Sequence, residues 1–265
     1  MSRSRWNDTV RAGWNRVSYR YRPRRSSGDV FGHREAEYRA WLDPIVRALP
    51  RDAPVLDLGS GTGDPAARVL SERFRVTGVD ISDVQVRRAR RLVPKARFVR
   101  ADIAEVDFPT ASFAAVVALY SLIHVPREQH RAVIARVARW LVPGGWFLAI
   151  VGQARYEGKE NGWLGSDAPM LWSHYDGPTY RRWLMAEGFR IVRESFVPEG
   201  DGSHRLFLAR AKRRARSPAN ARKPVVGSGR RAPDPPPRTR AHPPREGPEP
   251  PPSPLGSDGT PRKSA

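Results

Sequence analysis

The chain has 265 residues, a formal net charge of +20, 39% hydrophobic residues, 26 prolines and no cysteine. The missing cysteine rules out disulfides, thiolate metal sites and cysteine nucleophiles; the low apolar content and many prolines predict an ordered part joined to a disordered one. Most of the charge sits at the ends: residues 1–25 carry eight arginines and one aspartate, residues 211–265 carry 13 Lys/Arg against four Asp/Glu, and 26–210 is left with +4.

The start, Met1 to Asp8, lacks the apolar stretch of a secretory signal, and no uncharged apolar run approaches the roughly 18 residues of a spanning helix. A cytoplasmic protein without a membrane segment is therefore expected. From about residue 50, short apolar runs alternate with longer amphipathic stretches. Val55-Leu56-Asp57-Leu58 reads as a buried strand entering a glycine loop, with a helix from Asp64 to Arg73 behind it. Phe74 to Val79 is a second strand, and Ser82 caps a helix running to Leu92. Ala96 to Val99 and Phe113 to Leu119 are the third and fourth strands. Pro126 to Leu141 is a helix stopped by Pro143-Gly144-Gly145, and Trp146 to Val151 is the fifth strand.

This alternation predicts an α/β fold, a Rossmann-like doubly wound sheet that is mostly parallel and covered on both faces. After a helix at Pro178 to Glu187, Phe189 to Phe196 and Leu206 to Ala211 follow with no helix between them. They should form an antiparallel pair at the sheet edge. From about 211 onward apolar periodicity ends and 14 of the 26 prolines appear, so 212–265 reads as a disordered Pro/Arg-rich tail.

Chemistry concentrates at strand ends. In Asp57-Leu58-Gly59-Ser60-Gly61-Thr62-Gly63 the glycines let a ligand approach the backbone, and the next helix offers free N–H groups. Gly61-x-Gly63-x-x-Ala66 also fits the dinucleotide pattern, so an NAD enzyme stays open at this point. Asp80 ends the second strand, where a carboxylate can accept from both hydroxyls of a ribose. Arg100-Ala101-Asp102-Ile103 places a further acid just beyond the third strand, where it can accept from an adenine amino group.

Five segments together resemble class I S-adenosylmethionine (SAM)-dependent methyltransferases: residues 55–63 their first motif, Val79-Asp80 their acidic strand end, Ala101-Asp102 their adenine-binding acid, Phe113 through Pro126 their post-substrate strand, and Leu141 to Gly145 their late Leu-x-Pro-Gly-Gly turn. The similarity covers about residues 10–210. Position 114, usually aspartate in that family, is alanine here.

The resemblance implies SAM as cofactor, with Gly59, Ser60, Gly61 and Gly63 around its methionine part and Asp57 facing its ammonium. Asp80 with Ile81 would take the ribose and Ala101, Asp102 and Ile103 the adenine. Tyr21, with Tyr19 as the competing choice, lies in an N-terminal stretch resembling the family's lid, and Tyr120 and His124 would line the cofactor or substrate side. Residues 1–50 then form a helical lid and 51–211 the SAM-binding domain.

The insertion after the fifth strand and the later loop around 199–204 offer His174 and His204 as candidate general bases, with His124 a third, among tryptophans that suggest an aromatic-walled pocket. Without cysteine the thiolate route to pyrimidine C5 is closed, and no Asn/Asp-Pro-Pro-aromatic motif follows the fourth strand. No His/Asp/Glu cluster has metal-ligand spacing, so no metal is expected. A small organic acceptor is the expected substrate. The alternatives are an RNA-directed methyltransferase gripping nucleic acid with its basic ends, and a non-catalytic SAM-binding protein. Oligomeric state is not indicated.

Overall fold

The computed structural model describes residues 2–23, 35–199 and 202–212, all within one compact unit, Met1–Arg216. The disorder expected for 213–265 concerns residues outside the described ones.

Two helices come first, α1 (Arg3–Tyr21) and α2 (Glu35–Ala48). Then follow β1 (Pro54–Leu58), α3 (Ala66–Ser71), β2 (Arg75–Asp80), α4 (Asp83–Leu92), β3 (Arg97–Arg100) and β4 (Phe113–Leu119). After α5 (His130–Trp140) come β5 (Leu141–Gly152), β6 (Tyr156–Glu160), β7 (Met170–His174), α6 (Gly177–Ala186), β8 (Phe189–Glu199) and β9 (Gly202–Ala211). Seven strands make one sheet in the order β3-β2-β1-β4-β5-β9-β8. β1 to β5 pair in parallel, and β9 runs antiparallel to both β5 and β8. The expected edge pair is thus present, with β9 inserted between β5 and β8.

Alternation along the strands explains why both faces are covered. Val55, Val117 and Leu148 pack on one side with Leu42, Leu70 and Val86. Their neighbours Leu56, Val116 and Phe147 pack on the other with Ile134, Trp140 and Tyr180. Strands buried on both faces read as continuous apolar runs, as these do.

Several expected boundaries move. β5 begins at Leu141 because Leu141 pairs with Phe113 before Pro143-Gly144-Gly145 bulges out and pairing resumes at Ala115 and Trp146. The helix expected from Pro126 starts only at His130, after a 3-10 turn at Arg127–Gln129. The insertion after β5 is a two-stranded sheet, β6 with β7, and not a set of loops. Its strand β6, Tyr-Glu-Gly-Lys-Glu, is largely exposed, so it lacks the apolar run that marks a strand.

The second strand holds a glycine whose missing side chain sets local spacing. A Cβ on Gly78 would fall 2.5 Å from the Phe98 ring and 2.7 Å from Ser60 Oγ. Gly78→Ala is expected to cost about 1–3 kcal/mol by overpacking. Urea unfolding would check this. Combining it with Phe98→Leu should destabilise less than the sum of the two single changes, because the clash is shared.

Candidate active site

β1 lies between β2 and β4, so the chain leaves its C-terminal end in opposite directions on either side and opens a crevice there. The crevice widens into a cleft of about 1140 Å³, part of it open solvent. Gly59 turns out of β1 at φ +69, and a Cβ there would sit 2.1 Å from that of Ser121. Only glycine fits, because both the backbone conformation and the space forbid a side chain.

Asp80 is held in place by two amides: Gly61 N–H donates to Oδ2 at 2.9 Å and Ser82 N–H to Oδ1 at 2.8 Å. Ser82 is also the helix cap expected for α4, accepting from Gln85 N–H. Asp57 is more isolated. Its Oδ2, the Oγ of Ser60 and the Oγ of Ser121 are buried without a hydrogen-bond partner among the described residues. Burial, then the neighbouring Asp80, pushes the Asp57 carboxyl up to about 7. Burial likewise raises Asp80 to about 6, against the two amide hydrogen bonds that favour its charged form.

Most of the sequence-predicted residues converge here. Tyr21, Asp57, Gly59, Ser60, Gly61, Asp80, Ile81, Asp102, Ile103, Tyr120 and His124 line the cleft. Gly63 and Ala101 are not among its lining residues; a Cβ on Gly63 would meet Phe98 at 2.8 Å. Tyr120 leaves β4 at φ +60, an uncommon conformation for a side chain of its size. His174 is not among the residues that line the cleft; its Nδ1 lies 2.6 Å from Ala154 O and its ring beside Tyr156. His204 also stays behind the lining, with Nε2 against Glu199 Oε2 and its ring 5.1 Å from Tyr120; Glu199 itself lines the cleft.

Sequence reasoning missed Asn7, whose Nδ2 donates to Asp102 Oδ2 at 2.7 Å, and Ser121 as an unpartnered hydroxyl. Ser121 had a signal, its place just past the fourth strand. Asn7 had none, since only the docking of α1 brings it there.

Charge separates the two cofactor readings. Five carboxylates (Asp57, Asp64, Asp80, Asp102 and Glu199) line the cleft against a single arginine, Arg22. Even with Asp64 and Asp102 ion-paired to Arg68 and Arg3, such a lining suits a cation better than the pyrophosphate of a dinucleotide. The sulfonium and ammonium of SAM fit these residues, and the orphaned oxygens beside the glycine loop are acceptors that such a ligand can use. Among the described residues no group of acids and histidines could hold a metal ion, and no helix is long and apolar enough to cross a membrane.

The sheet order and the acid-lined glycine crevice define a Rossmann-like nucleoside-binding fold. Residues 55–145 match the family model described as a methyltransferase domain. Over 112 residues the chain is 44% identical to 27-O-demethylrifamycin SV methyltransferase of Amycolatopsis mediterranei, covering 39% of this chain and 40% of that protein. Over 194 residues it is 28% identical to a ubiquinone/menaquinone biosynthesis C-methyltransferase of Methylobacterium nodulans, 68% of each. The solved 1,6-didemethyltoxoflavin-N1-methyltransferase of Burkholderia thailandensis superposes with a TM-score of 0.61 at 24% identity, covering 80% of this chain and 91% of that one. Residues 55–145 thus form a domain similar to the methyltransferase family, on a fold shared with the solved methyltransferase. The aligned parts span 40%, 38% and 37% of the first curated relatives, less than half of each.

A carboxyl raised on folding binds more protons folded than unfolded between its two pKa values, so stability falls as pH rises through that window. For Asp57 the window runs from about pH 4 to about 7. The thermal midpoint of the wild type should fall relative to that of Asp57→Asn across this range, as differential scanning fluorimetry in matched buffers would show. An unchanged difference would mean that Asp57 is not raised.

Proposed function

We propose that this protein transfers the methyl group of SAM to a small organic acceptor held in the cleft. The observation that carries the reading is the set of buried, unpartnered oxygens on Asp57, Ser60 and Ser121, gathered in one acid-lined crevice with Asp80. SAM, when bound, supplies an electrophilic methyl group on a sulfonium. Gly59, Ser60, Gly61 and Asp57 would hold its methionine end, Asp80 with Ile81 its ribose, and Asp102 with Ile103 its adenine. Tyr21 and Tyr120 would close the sides, with α1 as lid.

The protein's own contribution is then to position and exclude water, since a displacement at a methyl carbon asks mainly for alignment. Curated relatives named for a rifamycin, sterols and quinones support a small-molecule acceptor. The RNA-directed alternative has less behind it. Three of the N-terminal arginines are engaged within the fold: Arg3 with Asp102 and Glu105, Arg16 with Asp167, Arg20 with the carbonyls of Leu164 and Gly165.

Calorimetric titration of the full chain with S-adenosylhomocysteine (SAH) tests the reading. SAH should bind, and Asp80→Ala should weaken it by roughly tenfold or more, in keeping with loss of hydrogen bonds to a charged acceptor. Absence of binding, or equal affinity in the variant, would overturn it.

A further inference from the structure

Beyond the glycine loop the cleft is walled by rings from three distant parts of the chain. Trp14 of α1 has its centroid 5.2 Å from that of His124 and 5.2 Å from that of Trp163. Trp172 of β7 closes the circuit, 5.4 Å from Trp163 and 4.5 Å from His124. All four residues line the cleft. A wall of edge-to-face and tilted rings binds best a flat, apolar partner that can join the same packing.

The imidazole in this wall has a settled tautomer. Nδ1 lies 2.9 Å from the carbonyl oxygen of Leu171, and a carbonyl only accepts, so Nδ1 carries the hydrogen. Burial holds the ring's pKa down to about 4, which keeps it neutral and leaves the lone pair on Nε2. A lone pair among tryptophans calls for an O–H or N–H donor; a thioether or an alkene carbon offers neither. The charge balance of the lining narrows the class further. Acids outnumber basic residues in the lining, even with Asp64 and Asp102 ion-paired to Arg68 and Arg3, which disfavours a carboxylated or phosphorylated acceptor. An alkylammonium has no lone pair until it loses a proton, which leaves a neutral O–H or N–H as the donor. A ring hydroxyl already has its lone pair, and its proton becomes strongly acidic only as the new bond forms, so a weak base suffices.

Building on the methyltransferase reading above, we propose that the acceptor is an uncharged, planar ring system bearing a hydroxyl group, seated against Trp14, Trp163 and Trp172 with its O–H donated to His124 Nε2. In the reaction a lone pair of the hydroxyl oxygen forms the O–CH3 bond. The electron pair of the breaking S–CH3 bond stays on sulfur, which becomes a neutral thioether. The hydroxyl proton passes to Nε2 and from there to solvent.

Calorimetry on the full chain saturated with SAH separates the elements of this proposal. The probes are 2-naphthol, its methyl ether 2-methoxynaphthalene, the non-planar alcohol decahydro-2-naphthol, and 2-naphthoate. The expected result is that 2-naphthol binds roughly tenfold or more tighter than each of the others. His124→Phe, with folding verified by thermal melting, should abolish the preference for the naphthol over its ether. Trp172→Leu should instead reduce the preference for the planar over the non-planar alcohol.

In the wild type, the Nε2 nitrogen resonance of His124 should shift on naphthol addition as a hydrogen-bond acceptor's does, which decides the matter if His124→Phe fails to fold. Equal binding of the naphthol, the ether and the decahydro alcohol, or discrimination that survives in folded His124→Phe, would overturn the proposal while leaving the SAM site standing. Absence of SAH binding would overturn the methyltransferase reading and this proposal together.

Discussion

Two buried carboxyl groups side by side are the constraint on which the rest of the site turns. Asp57 and Asp80 sit at the ends of adjacent parallel strands, whose register sets Leu58 beside Val79 and so fixes the two acids near each other. Desolvation disfavours charge on both, and Asp80 makes the ionisation of Asp57 harder still. The fold answers for Asp80 by turning two amides onto it, one from the glycine loop and one from the start of α4. Asp57 has no such answer on its Oδ2. Burial of an unsatisfied carboxyl is destabilising unless a complementary charge faces it. A cationic ligand in the crevice provides that complement, which is why an arrangement poor for stability is good for binding.

The N-terminal helix extends this logic from the crevice to the whole cleft. Arg88 of α4, itself buried, donates from its two terminal nitrogens to the carbonyls of Ser18 and Arg22, and its guanidinium lies 4.1 Å from the Tyr19 ring centroid. Ser18 donates in turn to Gln85, and Asn15 accepts from the Ser82 hydroxyl that caps α4. On the other side Trp6 donates to the carbonyl of His124, and Gly13 lets Met170 of β7 come close. One helix thus touches the turn that follows Asp80, Asp102 through Asn7, and the insertion hairpin. Displacing it would disturb every part of the cleft at once.

What was legible in the sequence follows from this division. The strand order and the acids at the ends of β1 and β2 could be read because local pattern determines them: an apolar run stops, a glycine turns, a carboxylate follows. Asp102 could be read for the same reason. The histidines could not be ranked that way. His174 and His204 sit in segments that look like loop chemistry, yet hairpin pairing turns the first outward and sets the second behind Glu199. His124, three residues past Ser121, enters the cleft because a 3-10 turn at Leu122–His124 follows β4. The β6–β7 hairpin was missed because its stability comes from docking on α1, not from an alternating apolar face of its own.

The same division explains why the family resemblance speaks for the cofactor and is silent on the acceptor. The cofactor crevice is built from consecutive strand ends, so its residues keep a fixed order and spacing along the chain. The aromatic wall draws Trp14 from one end, His124 from the middle and Trp163 and Trp172 from an insertion; no sequence motif can span such a set. Replacing the hairpin or a single tryptophan would change what the wall accepts without touching Asp57, Asp80 or the glycine loop. A fold organised in this way keeps one half constant under its own packing constraints and leaves the other free to vary. Under the proposed function, specificity would reside in how α1 and the β6–β7 hairpin meet over His124, with the sheet beneath them holding the methyl donor still.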